Sequence, residues 1–379
     1  MEKVVYADHS ATTYVKKEVL EEMLPFLKEN YGNPSSNYSI GKTAKIAVER
    51  ARKIIADKIN AKESEIYFTS CGTEADNLAI KGIARANKYK GMHIITTKIE
   101  HSAVLESMKT LEKEGFLVTY LDVDKKGRIN LESLKNAIRE DTILISVMYA
   151  NNEVGTVQEI EKIGAIAKNY GVIFHTDAVQ AMPYLPIDVV KENIDALSIS
   201  GHKLYAPKGV GALYIKQNVK FIRIQDGGHQ EKNKRSGTEN VASIVGMGKA
   251  VSMLDLKESK KLLELREYFL DRIFKEIDGI TLNGDRENRL PGNINISIDG
   301  TVSSDVLLKL DMKGIYVSAG SACNSLEKSI SHVLKAMGIL NKDASSAIRI
   351  TLGFENTKED VDYIVENLKE IIEKLRKEW

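Results

Sequence analysis

The sequence predicts an α/β protein whose large domain is a mostly parallel seven-stranded sheet covered by helices, together with a smaller α+β domain. Seven short runs of β-branched and apolar residues recur within the first 215 positions. Longer stretches with helical spacing separate most of these runs, which is the pattern of βαβ units. After about residue 240 the pattern becomes helical, and strand-like runs return near the end.

The large domain is predicted to extend over residues 13–255. Two stretches with helical spacing, 74–88 and 102–113, are among the helices expected to cover its sheet. Its seven strands are predicted at residues 66–69, 93–97, 117–121, 143–148, 172–175, 196–200 and 210–215.

The small domain is predicted from residues 1–12 and 256–379. A long helical region without proline, residues 240–280, is expected to lead into it. The elements expected after that region are a strand at 293–298, a helix at 303–310, a loop of small residues at 318–325, a strand at 347–352 and an amphipathic last helix.

Composition excludes several classes of protein. The 379 residues include 54 Lys and Arg against 53 Asp and Glu, a net charge of +1 that does not favour binding to nucleic acid or to a membrane surface. The two cysteines, Cys71 and Cys323, cannot form a disulfide framework, and they favour a reducing, cytoplasmic environment. The N-terminus shows no signal-peptide pattern, and no apolar run reaches the ~18 residues of a membrane helix.

Common ligand-binding motifs are absent from the sequence. Both Gly-x-Gly pairs lack the third glycine of the dinucleotide fingerprint, since Tyr214 and Val251 occupy that position. There is no Gly-x4-Gly-Lys-Ser/Thr phosphate loop, and the histidines show no zinc-binding spacing with the cysteines. We therefore expect no intrinsic metal site.

Residues 68–76 predict a strand that runs into a helix through small residues. Thr73 and Asp76 fit a capping box, and Gly72 would let the backbone approach a ligand closely. Free N–H groups at such a helix start suit a phosphate, although an ordinary capped turn explains the same residues.

Two further predicted strands end in groups capable of chemistry. Asp177 follows an apolar strand, and Lys203 follows the next strand after Ser200 and His202. Strand ends of this kind line the ligand crevice in α/β folds, and a lysine there can form a Schiff base. Taken singly, Asp177 fits a turn residue and Lys203 fits a solvated loop lysine.

Cys323 lies in a run of small residues in the small domain, where a nucleophilic thiol or a bland surface thiol is equally consistent with the sequence. The phosphate-binding helix start, the carboxylate and the lysine carry more weight together. They are the parts that a pyridoxal phosphate site requires, and each follows a predicted strand.

The chain resembles the cysteine desulfurases of the NifS/IscS type, in the class V aminotransferase family, nearly end to end. This resemblance implies the fold-type I architecture of pyridoxal phosphate-dependent transferases. The segments that carry it are SATT at 10–13, GNPSS at 32–36, TSCGTEADN at 69–77, EH at 100–101, NNEVG at 151–155, DAVQ at 177–180, SGHK at 200–203, RSGT at 235–238 and GSAC at 320–323.

The resemblance implies a Schiff base between Lys203 and pyridoxal 5'-phosphate, with Asp177 on the ring nitrogen and His101 stacked on the ring. Gln180 would contact the ring hydroxyl, and Asn151 would lie near it. The residues implied to bind the phosphate are Gly72, Thr73, Ser200, His202 and, across a homodimer interface, Thr238. Arg349 would clamp the substrate carboxylate, assisted by Asn33.

The implied reaction converts L-cysteine to L-alanine and leaves the sulfur on Cys323 as a persulfide. The implied destination of the sulfur is an iron–sulfur scaffold or another acceptor protein, and Cys323 could transiently ligate a [2Fe–2S] cluster with that scaffold. Cys71 should be dispensable. A selenocysteine lyase, an ordinary class V aminotransferase and a non-catalytic assembly platform are the alternatives.

Overall fold

The computed structural model describes residues 3–319 and 330–377, so that Cys323 lies outside the described residues. Its helices are α1 Lys17–Lys28, α2 Ser39–Lys58, α3 Gly72–Asn87, α4 Ser102–Lys113, α5 Leu131–Ala137, α6 Ile160–Tyr170, α7 Gln230–Asn233, α8 Val241–Ser252, α9 Leu256–Glu276, α10 Ser303–Asp311, α11 His332–Ala336, α12 Asn341–Ser345 and α13 Lys358–Lys377. Its strands are β1 Val5–Tyr6, β2 Ile66–Thr69, β3 His93–Thr97, β4 Leu117–Leu121, β5 Thr142–Ser146, β6 Ile173–Asp177, β7 Ala196–Ser200, β8 Gly211–Ile215, β9 Ile280–Leu282, β10 Asn293–Ile298, β11 Ile315–Tyr316 and β12 Ile348–Thr351. Within the described ranges, no helix is long and apolar enough to cross a membrane.

The predicted seven-stranded sheet is present, in the order β2-β8-β7-β6-β5-β3-β4. Only the pairings of β8 with β2 and β7 are antiparallel among those of this sheet. Strands β3, β5, β7 and β8 are buried along their whole length, as expected for strands with helices on both faces. Because β2, β6 and β7 run in the same direction, their carboxyl ends meet at one edge of the sheet.

A second, antiparallel sheet has the order β12-β10-β9. The register places Arg349 of β12 opposite Asn295 of β10, and Asp8 of the N-terminal segment bridges to Thr351. The N-terminal segment thus contacts the C-terminal part of the chain. Strand β9 was not expected from the sequence, since its three residues are too few for a clear alternating pattern.

The helical region predicted over 240–280 is present and consists of two helices. Helix α8 ends at Ser252, and α9 begins after Asp255. The Asp255 carboxylate accepts a hydrogen bond from the Lys257 N–H at 2.9 Å, which caps the second helix. The side-chain cap at Asp255, not a proline or glycine, marks this break.

Candidate active site

A cavity of about 430 Å³ opens where β2, β6 and β7 end and α3 begins. This is the edge at which ligands bind in open α/β sheets. The residues that line it are Ser10, Ala11, Cys71, Gly72, Thr73, Asp76, His101, Met148, Ala150, Asn152, Asp177, Val179, Gln180, Ser200, His202, Lys203 and Arg349.

Lys203 lies in a short 3-10 turn, Gly201–Lys203, directly after β7. Its ammonium donates hydrogen bonds to the carbonyl oxygens of Ser10 and Ala11, both at 2.5 Å. The side-chain amide of Gln180 donates to the same Ser10 oxygen at 3.0 Å. The N-terminal segment therefore forms one wall of the cavity and holds the lysine against it.

Tyr205 fixes the turn that carries Lys203. Its φ of +59° lies in the left-handed region, which is costly for a bulky residue unless the surroundings hold it. Its backbone N–H donates to the Thr13 hydroxyl at 2.9 Å, and its phenol oxygen accepts from the Phe354 N–H at 3.0 Å. These contacts hold the lysine turn from both sides.

We call the part of the cavity formed by Asp76 and Asp177 the acidic end. Asp177 is the last residue of β6, and one of its oxygens accepts from the Val179 N–H at 2.9 Å. Potential ligand atoms of Asp76, His101 and Asp177 all lie within 4.8 Å of one another. Burial raises the pKa of Asp177, while His101, the Val179 N–H and Lys203 oppose that rise.

His101 is the residue that caps α4, and its Nδ1 accepts from the Ala103 N–H at 3.1 Å. That hydrogen bond fixes the ring orientation at the cavity wall. The adjacent Glu100 is buried, and burial raises the pKa of its carboxyl to about 8. Its Oε1 accepts from the Thr97 hydroxyl and from the Met148 N–H.

The predicted capping box of Thr73 and Asp76 was wrong. Helix α3 begins at Gly72, so Asp76 lies a full turn inside and its side chain is only 1 % exposed. Glu74 occupies the capping position instead, since it accepts from the Ser70 N–H at 2.7 Å and pairs with Arg235 at 2.6 Å. Asp76 consequently faces the cavity, a position the sequence pattern did not reveal.

We call the part of the cavity formed by Gly72, Thr73, Ser200 and His202 the neutral end. A Cβ added at Gly72 would lie 2.8 Å from Val179 Cγ2, so only glycine fits this approach. Among the residues that the structure describes, the buried Ser200 hydroxyl has no hydrogen-bond partner. Burial, and then the charge of Lys203, lowers the pKa of His202 to about 4, and its Nδ1 lies 3.2 Å from the Thr12 hydroxyl.

Arg349 reaches the cavity from β12 of the small antiparallel sheet. Its guanidinium donates to Asp8 Oδ1 at 2.8 Å and to the Asn152 carbonyl at 3.1 Å, although the side chain is only 2 % exposed. Its backbone exchanges hydrogen bonds with Ser318. A buried, oriented arginine of this kind suits the binding of a carboxylate.

Three predicted site residues do not line this cavity. Asn151 is buried, and its amide bonds the Ile99 carbonyl and the N–H groups of Glu153 and Val154. The exposed Asn33 accepts from the Ser35 N–H. Thr238 lines a separate cavity of about 230 Å³.

The sequence analysis missed Asp8 and Asp76 and did not assign a role to the carbonyls of Ser10 and Ala11. The SATT motif at 10–13 was the available signal for those carbonyls. Nothing in the local pattern marks Asp8, because its partner Arg349 is 341 residues away.

A family model described as aminotransferase class-V matches residues 5–364. The cysteine desulfurase IscS of Dictyoglomus turgidum is 52% identical over 379 residues, covering 99% of this chain and 96% of that protein. The cysteine desulfurase IscS of Methanosarcina thermophila is 54% identical over 377 residues, covering 99% of this chain and 93% of that protein.

Solved structures resemble the whole chain as well. A NifS-like protein superposes with a TM-score of 0.92 at 39% identity, covering 99% of this chain and 100% of that one. A structure described as SspA in complex with cysteine has a TM-score of 0.83 at 39% identity, covering 92% of this chain and 98% of that one.

Proposed function

This chain belongs to the class V aminotransferase family, whose members depend on pyridoxal phosphate, and on that premise we propose that it is a cysteine desulfurase. It converts L-cysteine to L-alanine and transfers the sulfur to Cys323 as a persulfide. The observation that carries the proposal is the convergence of Lys203, Asp177 and Arg349 on one cavity. Relatives at 52% and 54% identity bear the name of this activity.

The residues at the cavity fit pyridoxal phosphate. The Ser200 hydroxyl is buried without a partner in the described part of the chain, and Gly72 leaves a space at the start of α3 that a Cβ would fill. Both features suit a phosphate, which accepts hydrogen bonds from hydroxyls and from helix N-termini. At the opposite end Asp177 offers a carboxylate to a protonated ring nitrogen.

In the proposed arrangement Lys203 holds the cofactor covalently, His101 lies against the ring, and Gln180 contacts its hydroxyl. We also propose that Asn151 lies near the ring and that Gly72, Thr73, Ser200 and His202 hold the phosphate. When bound, pyridoxal phosphate supplies an electron sink for the bonds of the substrate's α- and β-carbons.

Lys203 is the proposed base that removes the α-proton of cysteine. The Ser10 and Ala11 carbonyls hold its nitrogen in the cavity, so the amine is oriented before a proton is transferred. Asp177 keeps a negative charge beside the ring nitrogen and so favours the protonated ring. His101 is the proposed second proton carrier, since it lines the cavity and one of its ring nitrogens lies within 4.8 Å of an Asp177 oxygen.

Arg349 is the proposed partner of the substrate carboxylate, with Asn33 assisting. Asp8 already balances part of its charge and holds the guanidinium in place. A buried arginine without such an acidic partner would be costly. The same pairing leaves the planar guanidinium oriented toward the cavity that it lines.

Sulfur transfer then needs a thiolate, and Cys323 is the proposed nucleophile. Its sulfur attacks the sulfur of the substrate, and the substrate's bond between Cβ and sulfur breaks with its electron pair going to carbon. Proton delivery to that carbon completes L-alanine. The new S–S bond leaves Cys323 as a persulfide, ready for an acceptor protein.

The decisive experiment compares Cys323→Ser with its matched control Cys71→Ser. Cys323→Ser should keep the yellow absorbance of the bound cofactor and lose sulfide release from L-cysteine. Cys71→Ser should keep both within about twofold, although Cys71 lines the cavity, because no step uses its thiol. Undiminished desulfuration by Cys323→Ser would overturn the proposal.

Alanine must also form without a keto-acid acceptor, since an ordinary aminotransferase would need one. If Cys323→Ser turns over selenocysteine but not cysteine, the protein would be a selenocysteine lyase. The Cys323 thiol would then be needed only for the reaction with cysteine.

We propose a cytoplasmic homodimer that delivers sulfur to an iron–sulfur scaffold or another acceptor. The position of Thr238 supports the dimer, because this residue lines a cavity separate from the one that holds Lys203. A second copy would bring Thr238 to the partner's phosphate. Residues 13–255 are the proposed large domain, and residues 1–12 and 256–379 the small one.

A further inference from the structure

We propose that Asp76 is a positioning residue that acts through Asp177, with the two carboxyls sharing one negative charge, the proton on Asp76 and the charge on Asp177. The inference rests on the proposed function, because it concerns the carboxylate offered to the cofactor ring. It adds a residue that no part of the proposed reaction requires.

The geometry places two carboxyls in one buried space. Asp76 and Asp177 are 1 % and 7 % exposed, both line the cavity, and their nearest oxygens are within 4.8 Å. Two ionised carboxylates at such a short distance repel each other strongly when they are shielded from water. One of the two carboxyls therefore holds a proton.

His101 lies within 4.8 Å of both carboxyls and so does not distinguish them, and a second histidine lies beside Asp76. His175 Nε2 lies 3.7 Å from Asp76 Oδ1, but burial lowers the pKa of His175 to about 3, so the ring is neutral. His175 Nδ1 lies 2.9 Å from the Ser146 hydroxyl and Nε2 lies 3.1 Å from the Ser198 hydroxyl.

These groups form one chain of neutral hydrogen-bonding partners. The Ser198 hydroxyl interacts with the Asp76 carboxyl and with His175 Nε2, and His175 Nδ1 pairs with the Ser146 hydroxyl. The chain of neutral groups ends at Asp76 and delivers no positive charge. Asp76 Oδ1 itself has no hydrogen-bond partner among the described residues.

The surroundings of Asp177 are different. The Val179 N–H donates to it, and both His101 and Lys203 favour its ionised form. Burial raises the pKa of Asp76 well above its usual range, and Asp177, Glu100 and Cys71 raise it further. The proton therefore stays on Asp76, and the ring nitrogen faces a full negative charge on Asp177.

The test is a double-mutant cycle in the full-length protein, with the dissociation constant of pyridoxal phosphate as readout. Asp76→Asn replaces a neutral acid with a neutral amide and should change that constant by less than about threefold. Asp177→Asn should weaken binding strongly, and in that background Asp76 becomes free to ionise.

Adding Asp76→Asn to Asp177→Asn should therefore weaken binding by a further tenfold or so, a non-additive effect. Equal effects of Asp76→Asn in both backgrounds would overturn the proposal, since a purely structural role is additive. Neither outcome depends on desulfuration, so the test is separate from that of the proposed function.

Infrared spectroscopy of the loaded wild-type protein, with ¹³C-labelled aspartate, provides a check that needs no variant to fold. A carboxylic-acid carbonyl band should be present at neutral pH. It should persist in Ser146→Ala and vanish in Asp76→Asn. Its absence from the wild-type protein would also overturn the proposal.

Discussion

The two ends of the cavity recognise their proposed ligands by opposite means. The acidic end has two buried carboxyls, Asp76 and Asp177, in a space that includes His101. The neutral end has a glycine approach at Gly72, an unpartnered hydroxyl at Ser200 and a histidine, His202, whose pKa of about 4 keeps it uncharged.

This difference indicates which part of the proposed cofactor requires a charged partner in the protein. A phosphate carries its own charge and can be held by dipoles and hydroxyls, whereas a ring nitrogen needs a formal negative charge to remain protonated. The charge of Lys203 influences both ends, since it lowers the pKa of His202 and favours ionised Asp177.

The comparison is tested most severely at Lys203, which both ends share. Lys203→Ala should abolish the covalent bond to the cofactor and reduce desulfuration by about a thousandfold or more, because base and attachment point are lost together. Absorbance spectra and alanine assays measure this. Lys208→Ala removes an exposed lysine of the same loop and should behave as wild type. Retained activity in Lys203→Ala would refute its assigned role.

The neutral end should be sensitive to volume. The added methyl in Gly72→Ala would meet Val179 and Ser200, and overpacking of this kind should weaken cofactor binding by about ten- to a hundredfold. Gly171→Ala is the control, since it has a positive φ but no atom within 4 Å of the added Cβ. It should lower the free energy of unfolding without changing cofactor affinity. Equal affinity in both variants would mean that Gly72 does not border the phosphate.

The neutral end should also be sensitive to acid. His202 titrates near pH 4 in the fold but near pH 6.5 when unfolded, so the unfolded chain binds more protons between these values. Stability from this residue is complete above pH 6.5 and falls by about 2 kcal/mol as the pH drops toward 4.

Urea unfolding of His202→Gln should therefore show a shallower decline in the free energy of unfolding across that window than the wild type shows. His229→Gln, at an exposed histidine, should leave the decline unchanged. Parallel curves for His202→Gln and wild type would contradict the assignment of a neutral His202.

The smallest expected effect concerns the hydroxyl of Ser200 at the neutral end. Ser200→Ala removes a buried hydroxyl that no described residue pairs with, so the cofactor-free protein should keep its free energy of unfolding or gain about 1 kcal/mol. Its affinity for pyridoxal phosphate should fall about tenfold because that hydroxyl is a proposed donor.

Ser107→Ala gives the opposite pattern and serves as the control. The Ser107 hydroxyl is buried and donates to the Ala103 carbonyl at 2.7 Å. Its loss should cost about 1 kcal/mol of stability and leave cofactor affinity unchanged. A Ser200→Ala protein that loses stability but binds normally would reverse the interpretation of Ser200.

The strands show how much of the secondary structure the local sequence pattern predicts. Residues 66–69, 93–97, 117–121 and 196–200 were predicted with the bounds that the structure has. Three of these strands are buried throughout and read as short apolar or β-branched runs, whereas 117–121 is a partly exposed edge strand whose β-branched and aromatic residues mark it. The Asp255 cap and the three-residue strand β9 were missed, since a side-chain cap and a very short strand leave little periodic signal.

The sequence by itself determined the fold class, the family and the order of Asp177, Ser200 and Lys203 along the sheet, because strand ends and motifs are local in the chain. Only the tertiary structure decided that Asp76 faces Asp177, that Asp8 holds Arg349 and that the carbonyls of Ser10 and Ala11 hold Lys203. These contacts join residues 101, 341, 193 and 192 positions apart, so they are set by how elements pack and leave no signal in any one segment.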